Sequence, residues 1–386
     1  MSRVWFVMLA TGLVGLGLAG GRSTPVAPLQ ASAHFEVIAS GLDNPRGLAF
    51  SPDGGLYVAE AGHGDAGGPV PDGGPSCKPA PDAPPPAVVG WAPTGAITRV
   101  DPSGAAAPVR LVSGLPSLAP PAGPRAGFGA GGPVDISFLG RGGAYVVIGL
   151  GGDPAFRNPA TLGPQAHLFG TVLHVAASGR WQVVADIAGQ ESTENPAGGT
   201  IDSNPYGIAA LPGRRVVADA GGNSLIEAAA NGLTQTLAVF PNRALTAPPV
   251  TIQAVPTTVT EGPDGWLYVG QLTGGPFVVG AANVYRVPPE GGTPQVYAGG
   301  FTGIVDLAFD GAGNLYVLEI IAGGAPPSPP GRLIRVNTDG TRTTILGGLT
   351  FPGGVAVGPD GAVYLTNFGI FPTSAGGGQV LKIAEP

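Results

Sequence analysis

A chain of 386 residues with 18 basic and 25 acidic side chains has a formal net charge of -7, and no basic excess to track a phosphate backbone, so nucleic-acid partners are excluded. Charged residues are 11% of the total, against roughly a quarter in ordinary soluble domains, while Gly (68) and Pro (43) are abundant. These glycines and prolines recur between β-branched and aromatic runs, which makes them the turn residues of a folded all-β chain.

At the start, Arg3 precedes an apolar run over 4–19, and the small residues Ala31, Ser32 and Ala33 come just before His34. This pattern reads as a signal peptide over 1–33, leaving 34–386 as one domain in a secreted or periplasmic location. No later segment is apolar enough to span a bilayer, so no membrane span is expected once the signal is removed. Cys77 has no internal partner for a disulfide and reads as a loop thiol.

From Asn44 onward a unit repeats: Asn44-Pro45-Arg46-Gly47-Leu48-Ala49-Phe50, the turn Ser51-Pro52-Asp53-Gly54-Gly55, then Leu56-Tyr57-Val58-Ala59-Glu60. Aligned on the residue before each first strand, the repeats begin at Pro45, Pro133, Pro205, Pro256, Ile304 and Pro352. First strands are expected over 48–50, 136–138, 208–211, 259–260, 307–309 and 355–357, and second strands over 56–59, 144–147, 216–218, 267–270, 315–318 and 363–366. Third strands follow over 96–100, 171–175, 224–228, 283–287, 332–336 and 379–383. Fourth strands are visible in five units, over 109–112, 183–187, 236–240, 295–297 and 343–346.

The sixth unit lacks its fourth strand, and the segment 34–40 supplies it from the other end of the chain. That segment closes on Gly41-Leu42, as fourth strands elsewhere close on Gly114-Leu115 and Gly348-Leu349. Closure of this kind removes open sheet edges, and radial repetition of four-stranded sheets is a β-propeller. The expected fold is therefore all-β, a six-bladed β-propeller whose N-terminal strand completes the last blade.

The segment 44–60 resembles the ScyD/ScyE family of exported bacterial proteins, linked by name to scytonemin biosynthesis. So do Gly149-Leu150-Gly151-Gly152-Asp153-Pro154, Asp202-Ser203-Asn204-Pro205-Tyr206-Gly207, Asp219-Ala220-Gly221-Gly222-Asn223 and Gly270-Gln271-Leu272-Thr273-Gly274. The resemblance covers nearly the whole mature chain and implies an exported propeller; it carries over no catalytic residue. A broader likeness is to lactonase-type and sugar-dehydrogenase-type propellers, which hold a metal ion or a quinone over the channel. Lactonase-type propellers place Asn or Asp before Gly at several first strands, whereas this chain has Arg46, Val134, Tyr206, Thr257, Val305 and Gly353 there.

In such a ring, the connections entering first strands and those joining second to third strands open on one face. The long segments 62–94, 115–132, 150–168, 189–204, 241–255 and 322–331 all belong to these two classes, so that face is expected to carry the function. Arg46, Glu60, Asp135, Tyr206, Asp219, Gln271, Asp306 and Glu319 are expected to ring the channel mouth there. Two readings of these polar groups stay open: they bind backbone N–H groups of neighbouring turns, or they hold a cation such as Ca2+ or a hydroxylated or amine-bearing small molecule.

His34, His63, His167 and His174 show no zinc-ligand spacing, though His63 or His167 is a candidate loop base. Trp91, Phe128, Phe156, Phe277 and Phe371 lie in or beside the long segments, where a planar ligand can stack. The expected function is an exported, monomeric propeller that binds a small molecule or an exported protein on its elaborated face. The alternative is a metal-assisted enzyme acting on an exported aromatic or sugar-like metabolite.

Overall fold

The computed structural model describes residues 34–65, 89–246, 249–323 and 330–384. The expected signal segment 1–33, Cys77 and residues 67–88 of the first Pro-rich insertion lie outside the described residues.

Six antiparallel four-stranded sheets account for the repeats, one sheet to each unit. Blade 1 is Pro45–Phe50, Leu56–Glu60, Gly90–Val100 and Val109–Ala119, and blade 2 is Pro133–Phe138, Ala144–Ile148, Thr171–Val175 and Trp181–Asp186. Blade 3 is Pro205–Leu211, Arg214–Asp219, Ser224–Ala229 and Thr234–Val239; blade 4 is Pro256–Glu261, Leu267–Gln271, Ala282–Val287 and Gln295–Phe301. Blade 5 is Ile304–Phe309, Leu315–Ile321, Pro330–Val336 and Arg342–Leu349. Blade 6 is Val355–Val357, Val363–Asn367 and Gly378–Ile383, with Phe35–Leu42 as its outer strand. The molecule is a six-bladed β-propeller.

Each hairpin turn on the terse face is closed by a glycine at positive φ, such as Gly54 (83°), Gly265 (78°) and Gly361 (77°), a conformation that a Cβ disfavours. Alternate strand residues then meet the neighbouring blade. Leu48, Leu56 and Val58 of blade 1 pack with Tyr364 and Val380 of blade 6, while Ala59, Ile97 and Val112 pack with Ile136, Val146 and Leu173 of blade 2. The core is thus a set of apolar layers between blades rather than one central mass.

The outer strand of blade 6 pairs as expected. Phe35 lies opposite Ile383, Glu36 opposite Lys382, Val37 opposite Leu381 and Ala39 opposite Val380. Ile38, Ala39 and Leu42 are buried by this pairing.

Three parts of the elaborated face differ from a plain loop reading. The third and fourth strands of blade 1 run on beyond the blade as a long ribbon, with Gly90 opposite Ala119 and Trp91 opposite Leu118. The segment after blade 2 opens as the helix Ile187–Glu194, because the Asp186 carboxylate caps its first turn by accepting from Gly189 N and Asn195 ends it in the left-handed region. Between blades 3 and 4 a separate hairpin forms from Arg243–Thr246 and Pro249–Ile252.

Candidate functional site

The innermost strands share a kink that aims side chains at the axis. In each of blades 1 to 5 the pairing with the second strand slips just after the first residue, between Pro45 and Leu48, Pro133 and Asp135, Pro205 and Gly207, Pro256 and Thr258, and Ile304 and Asp306. Such bulges bend a strand and redirect what it carries. The redirected residues are Gly47, Asp135, Gly207, Thr258 and Asp306, and Gly354 of blade 6 holds the sixth equivalent place, against Gly47.

Asp135 uses this aim to bridge blades. One of its oxygens accepts from its neighbour Ile136 N and the other from Ile208 N of blade 3, each at 2.8 Å. On the other side it lies across Gly47 of blade 1, where a Cβ would sit 2.0 Å from Oδ1. Asp306 repeats the arrangement half a turn away. It accepts from Leu307 N at 2.8 Å, from Thr258 Oγ1 of blade 4 at 2.7 Å and from Val355 N of blade 6 at 2.7 Å.

Both carboxylates are half-buried and surrounded by protein, so the charged form loses much of its hydration. Burial, reinforced by the charge of Asp306, holds the Asp135 carboxyl well above the usual carboxylate range. Burial likewise pushes Asp306 up to about 6, against three hydrogen bonds that pull it down. Tyr206 and Arg46 complete the cluster. Burial raises the Tyr206 phenol, and the positive charge of the nearby Arg46 guanidinium opposes that rise. Arg46 donates from Nη2 to Ala130 O at 2.8 Å, and its Nε has no partner among the described residues. The structure therefore brings together Arg46, Asp135, Tyr206 and Asp306.

Glu60, Asp219, Gln271 and Glu319 do not join them, which corrects the expectation of a single ring of eight. Their side chains turn into their own blades. Glu60 accepts from Asp43 N at 2.6 Å and from Arg110 at 3.0 and 3.2 Å, with Thr98 beside it. Glu319 does the same in blade 5, accepting from Thr302 N at 2.7 Å and Arg332 Nε at 2.5 Å. Asp219 accepts from Asn204 N, Ser203 Oγ, Gly221 N and Gly222 N, and Gln271 from Asn283 N and Arg243 Nη2. Burial raises the Asp219 and Glu319 carboxyls above the ordinary range. These residues pin the loops of the elaborated face to the sheets beneath.

Sequence reasoning missed their cationic partners Arg110, Arg243 and Arg332, for which no local motif exists. Of the two readings left open for the channel carboxylates, hydrogen bonding to neighbouring strands is the one the structure displays. Each of the four oxygens of Asp135 and Asp306 already accepts a hydrogen bond. Among the described residues no group of three or more His, Cys, Asp or Glu side chains is arranged to hold a metal ion.

The elaborated face also concentrates backbone strain. Among the described residues the non-glycine positions at positive φ are Asn44, Asn195, Asn223, Val255, Thr273, Phe277, Phe351 and Phe368, all in loops of that face. Bulky residues such as Val255, Phe277, Phe351 and Phe368 hold this conformation at a cost of about 1–3 kcal/mol each. Of the aromatic candidates, Phe128 and Phe371 meet edge to face with centroids 5.1 Å apart, while Trp91 is covered by Gly163. His174 packs at a tilt against Tyr145 in blade 2 and His167 lies in the short helical turn Ala166–Leu168. On the opposite face, an open depression of about 430 Å³ between blades 1 and 2 is walled by Tyr57, Ile97, Leu111 and Phe138.

Among solved structures, a protein of unknown function from Bacteroides thetaiotaomicron VPI-5482 is similar at 9% identity and a TM-score of 0.53, over 91% of this chain and 75% of that one. A luciferin-regenerating enzyme is similar at 12% identity and a TM-score of 0.50, over 92% of this chain and 96% of its own. A streptogramin B lyase aligns at 14% identity and a TM-score of 0.49, over 91% and 97%. No protein-family model matches the chain, and no curated protein matches it. At these identities the likeness is one of shape, and the shape is that of a β-propeller.

Proposed function

We propose that this chain is an exported β-propeller of the ScyD/ScyE type, secreted or periplasmic, that binds a small molecule or an exported protein partner on its loop-elaborated face. The observation that carries the reading is the gathering of every described left-handed non-glycine residue on that one face. Strain of this kind persists where the surrounding structure holds a loop in a set shape, and loops so held on a rigid scaffold are where proteins place recognition. The Arg46, Asp135, Tyr206 and Asp306 cluster supplies a polar floor beneath these loops.

Hydrogen exchange read by mass spectrometry tests the reading, using the purified protein with a panel of aromatic and polyhydroxylated metabolites and with exported proteins of the producing cell. Protection is expected in 122–132, 150–168, 189–204, 271–281 and 368–377. Binding that protects the hairpin turns 52–55, 263–266 and 338–341 of the opposite face instead would overturn it.

A further inference from the structure

On the elaborated face, at the seam where blade 6 meets blade 1, a histidine and an aspartate form a pair that the channel cluster does not use. Asp43 is buried, its side chain 2% exposed, and its Oδ2 is bound to Nδ1 of His63, whose side chain is 36% exposed. Asp43 is fixed from the other side by Thr373 N, which donates to Oδ1 at 3.2 Å, and His63 by its own N–H, which donates to Thr94 Oγ1 at 2.9 Å. A carboxylate on Nδ1 sets the tautomer of a neutral imidazole, leaving Nε2 as the acceptor. Nε2 of His63 has no hydrogen-bond partner among the described residues. Glu60 accepts the Asp43 backbone N–H and is itself paired to Arg110, while Asp65 and Arg125 lie on the segments that carry His63 and Phe128.

An apolar wall stands beside this base. A Cβ on Gly127 would lie 3.2 Å from the His63 Cβ and 3.0 Å from the Pro372 Cβ, so the base of the His63 side chain adjoins the segments that carry Phe128 and Phe371. Those two rings meet at 5.1 Å, and Phe368, held at a φ of 56°, adds a third at 5.2 Å from Phe371. All three phenylalanines are partly exposed. Backbone hydrogen bonds from Asn44 N to Phe371 O and from Gly129 N to Ile370 O lock the segments together.

We propose that His63, oriented by Asp43, is the proton acceptor of a binding site for small phenols, whose ring packs on Phe128 and Phe371 while its hydroxyl donates to Nε2. The step is a single proton transfer from the phenol oxygen to Nε2, giving a phenolate beside an imidazolium whose Nδ1–H stays on Asp43. This rests on the reading that the elaborated face is the binding face, and it names the ligand class and the residue that takes its proton.

Titration with p-nitrophenol, at a pH where the free phenol is mostly neutral, tests it by the absorbance of the phenolate. The full protein is expected to raise the phenolate band on binding. His63→Gln should abolish the band and weaken binding about tenfold, the size of one charge-assisted hydrogen bond. Phe371→Ala should weaken binding while what remains bound still shows the band, and His174→Gln should change neither. Nitrogen-15 NMR of His63 in the unsubstituted protein, moving from neutral to doubly protonated imidazole on addition of p-nitrophenol, gives the same answer if a variant fails to fold. Absence of binding, or a band retained in His63→Gln, overturns the proposal. Binding with exchange protection at 122–132 and 368–377 but no band removes His63 as acceptor while leaving the face itself as the binding surface.

Discussion

Asp135 of blade 2 and Asp306 of blade 5 do the same work half a ring apart: each accepts the backbone N–H of the next blade's innermost strand, from Ile208 and Val355 respectively. Each also reaches back to the preceding blade, Asp135 by lying over Gly47 and Asp306 by accepting from Thr258. Blades 1 to 3 and 4 to 6 are therefore sewn as two sets of three around the axis.

The two carboxyls titrate higher in the folded chain than in the unfolded one, Asp306 at about 6 from 3.8 and Asp135 raised well above 3.8. The folded state then holds more protons from about pH 4 upward past pH 6, so stability contributed below that window is lost as pH rises through it, by up to about 3 kcal/mol for Asp306. In Asp135→Asn with Asp306→Asn, backbone N–H groups that met carboxylate oxygens now meet an amide, at a cost of about 1–3 kcal/mol per site. Urea unfolding should show the gap between wild type and double variant narrowing from about pH 5 to about pH 7. The gap should be the same in calcium and in chelator, and a calcium-dependent gap would place a cation on the pair.

Gly47→Ala drives a Cβ into the space of the Asp135 carboxylate and should cost about 1–3 kcal/mol. Gly311→Ala is the matched control, since nothing lies within 4 Å of its added Cβ, and it should stay within about 0.5 kcal/mol of wild type. Equal melting temperatures for the two variants would contradict the close contact at the ring.

Arg332→Met leaves Glu319 buried without its cation. Because Arg332 is 35% exposed, the expected loss at neutral pH is about 2 kcal/mol, below that for a wholly buried pair. The Glu319 carboxyl, already raised by burial, rises further in the variant, so the loss should shrink as pH falls and the carboxyl takes up a proton. Chemical denaturation at two pH values checks the sign.

Deletion of 35–42 should expose the third strand of blade 6 as a sheet edge. Light scattering and gel filtration should report self-association. Ile38→Ala, which keeps the strand but empties its buried contact, should cost about 2–5 kcal/mol and leave the protein monodisperse.

The blade count and the borrowed strand were legible because turn chemistry is local: Pro52-Asp53-Gly54 and Pro359-Asp360-Gly361 announce hairpins whatever surrounds them. Asp135 and Asp306 hold the same place in the second and fifth of six repeats, so their half-turn separation is readable from that same register. The fate of Glu60 was not legible, since its partner Arg110 lies 50 residues away and is brought to it by the pairing of the third and fourth strands of blade 1. The helix Ile187–Glu194 escaped notice for a different reason. Its sequence has no strong apolar periodicity, and it forms because Asp186 caps it and Ile187 and Ala188 are buried against blade 2.

The pairing of Phe35 with Ile383 joins nearly the first and nearly the last described residues in one sheet. No amount of earlier folding can complete blade 6 until both Phe35–Leu42 and Gly378–Ile383 are present. Loop closure over such a span is slow, so five blades and an unfinished sixth must wait as an open crescent with a bare flank. The last strand to be made thus acts as the latch of the whole ring. A chain that lacks Gly378–Ile383 is left with no latch, so losing that one short strand is far more damaging than its length implies.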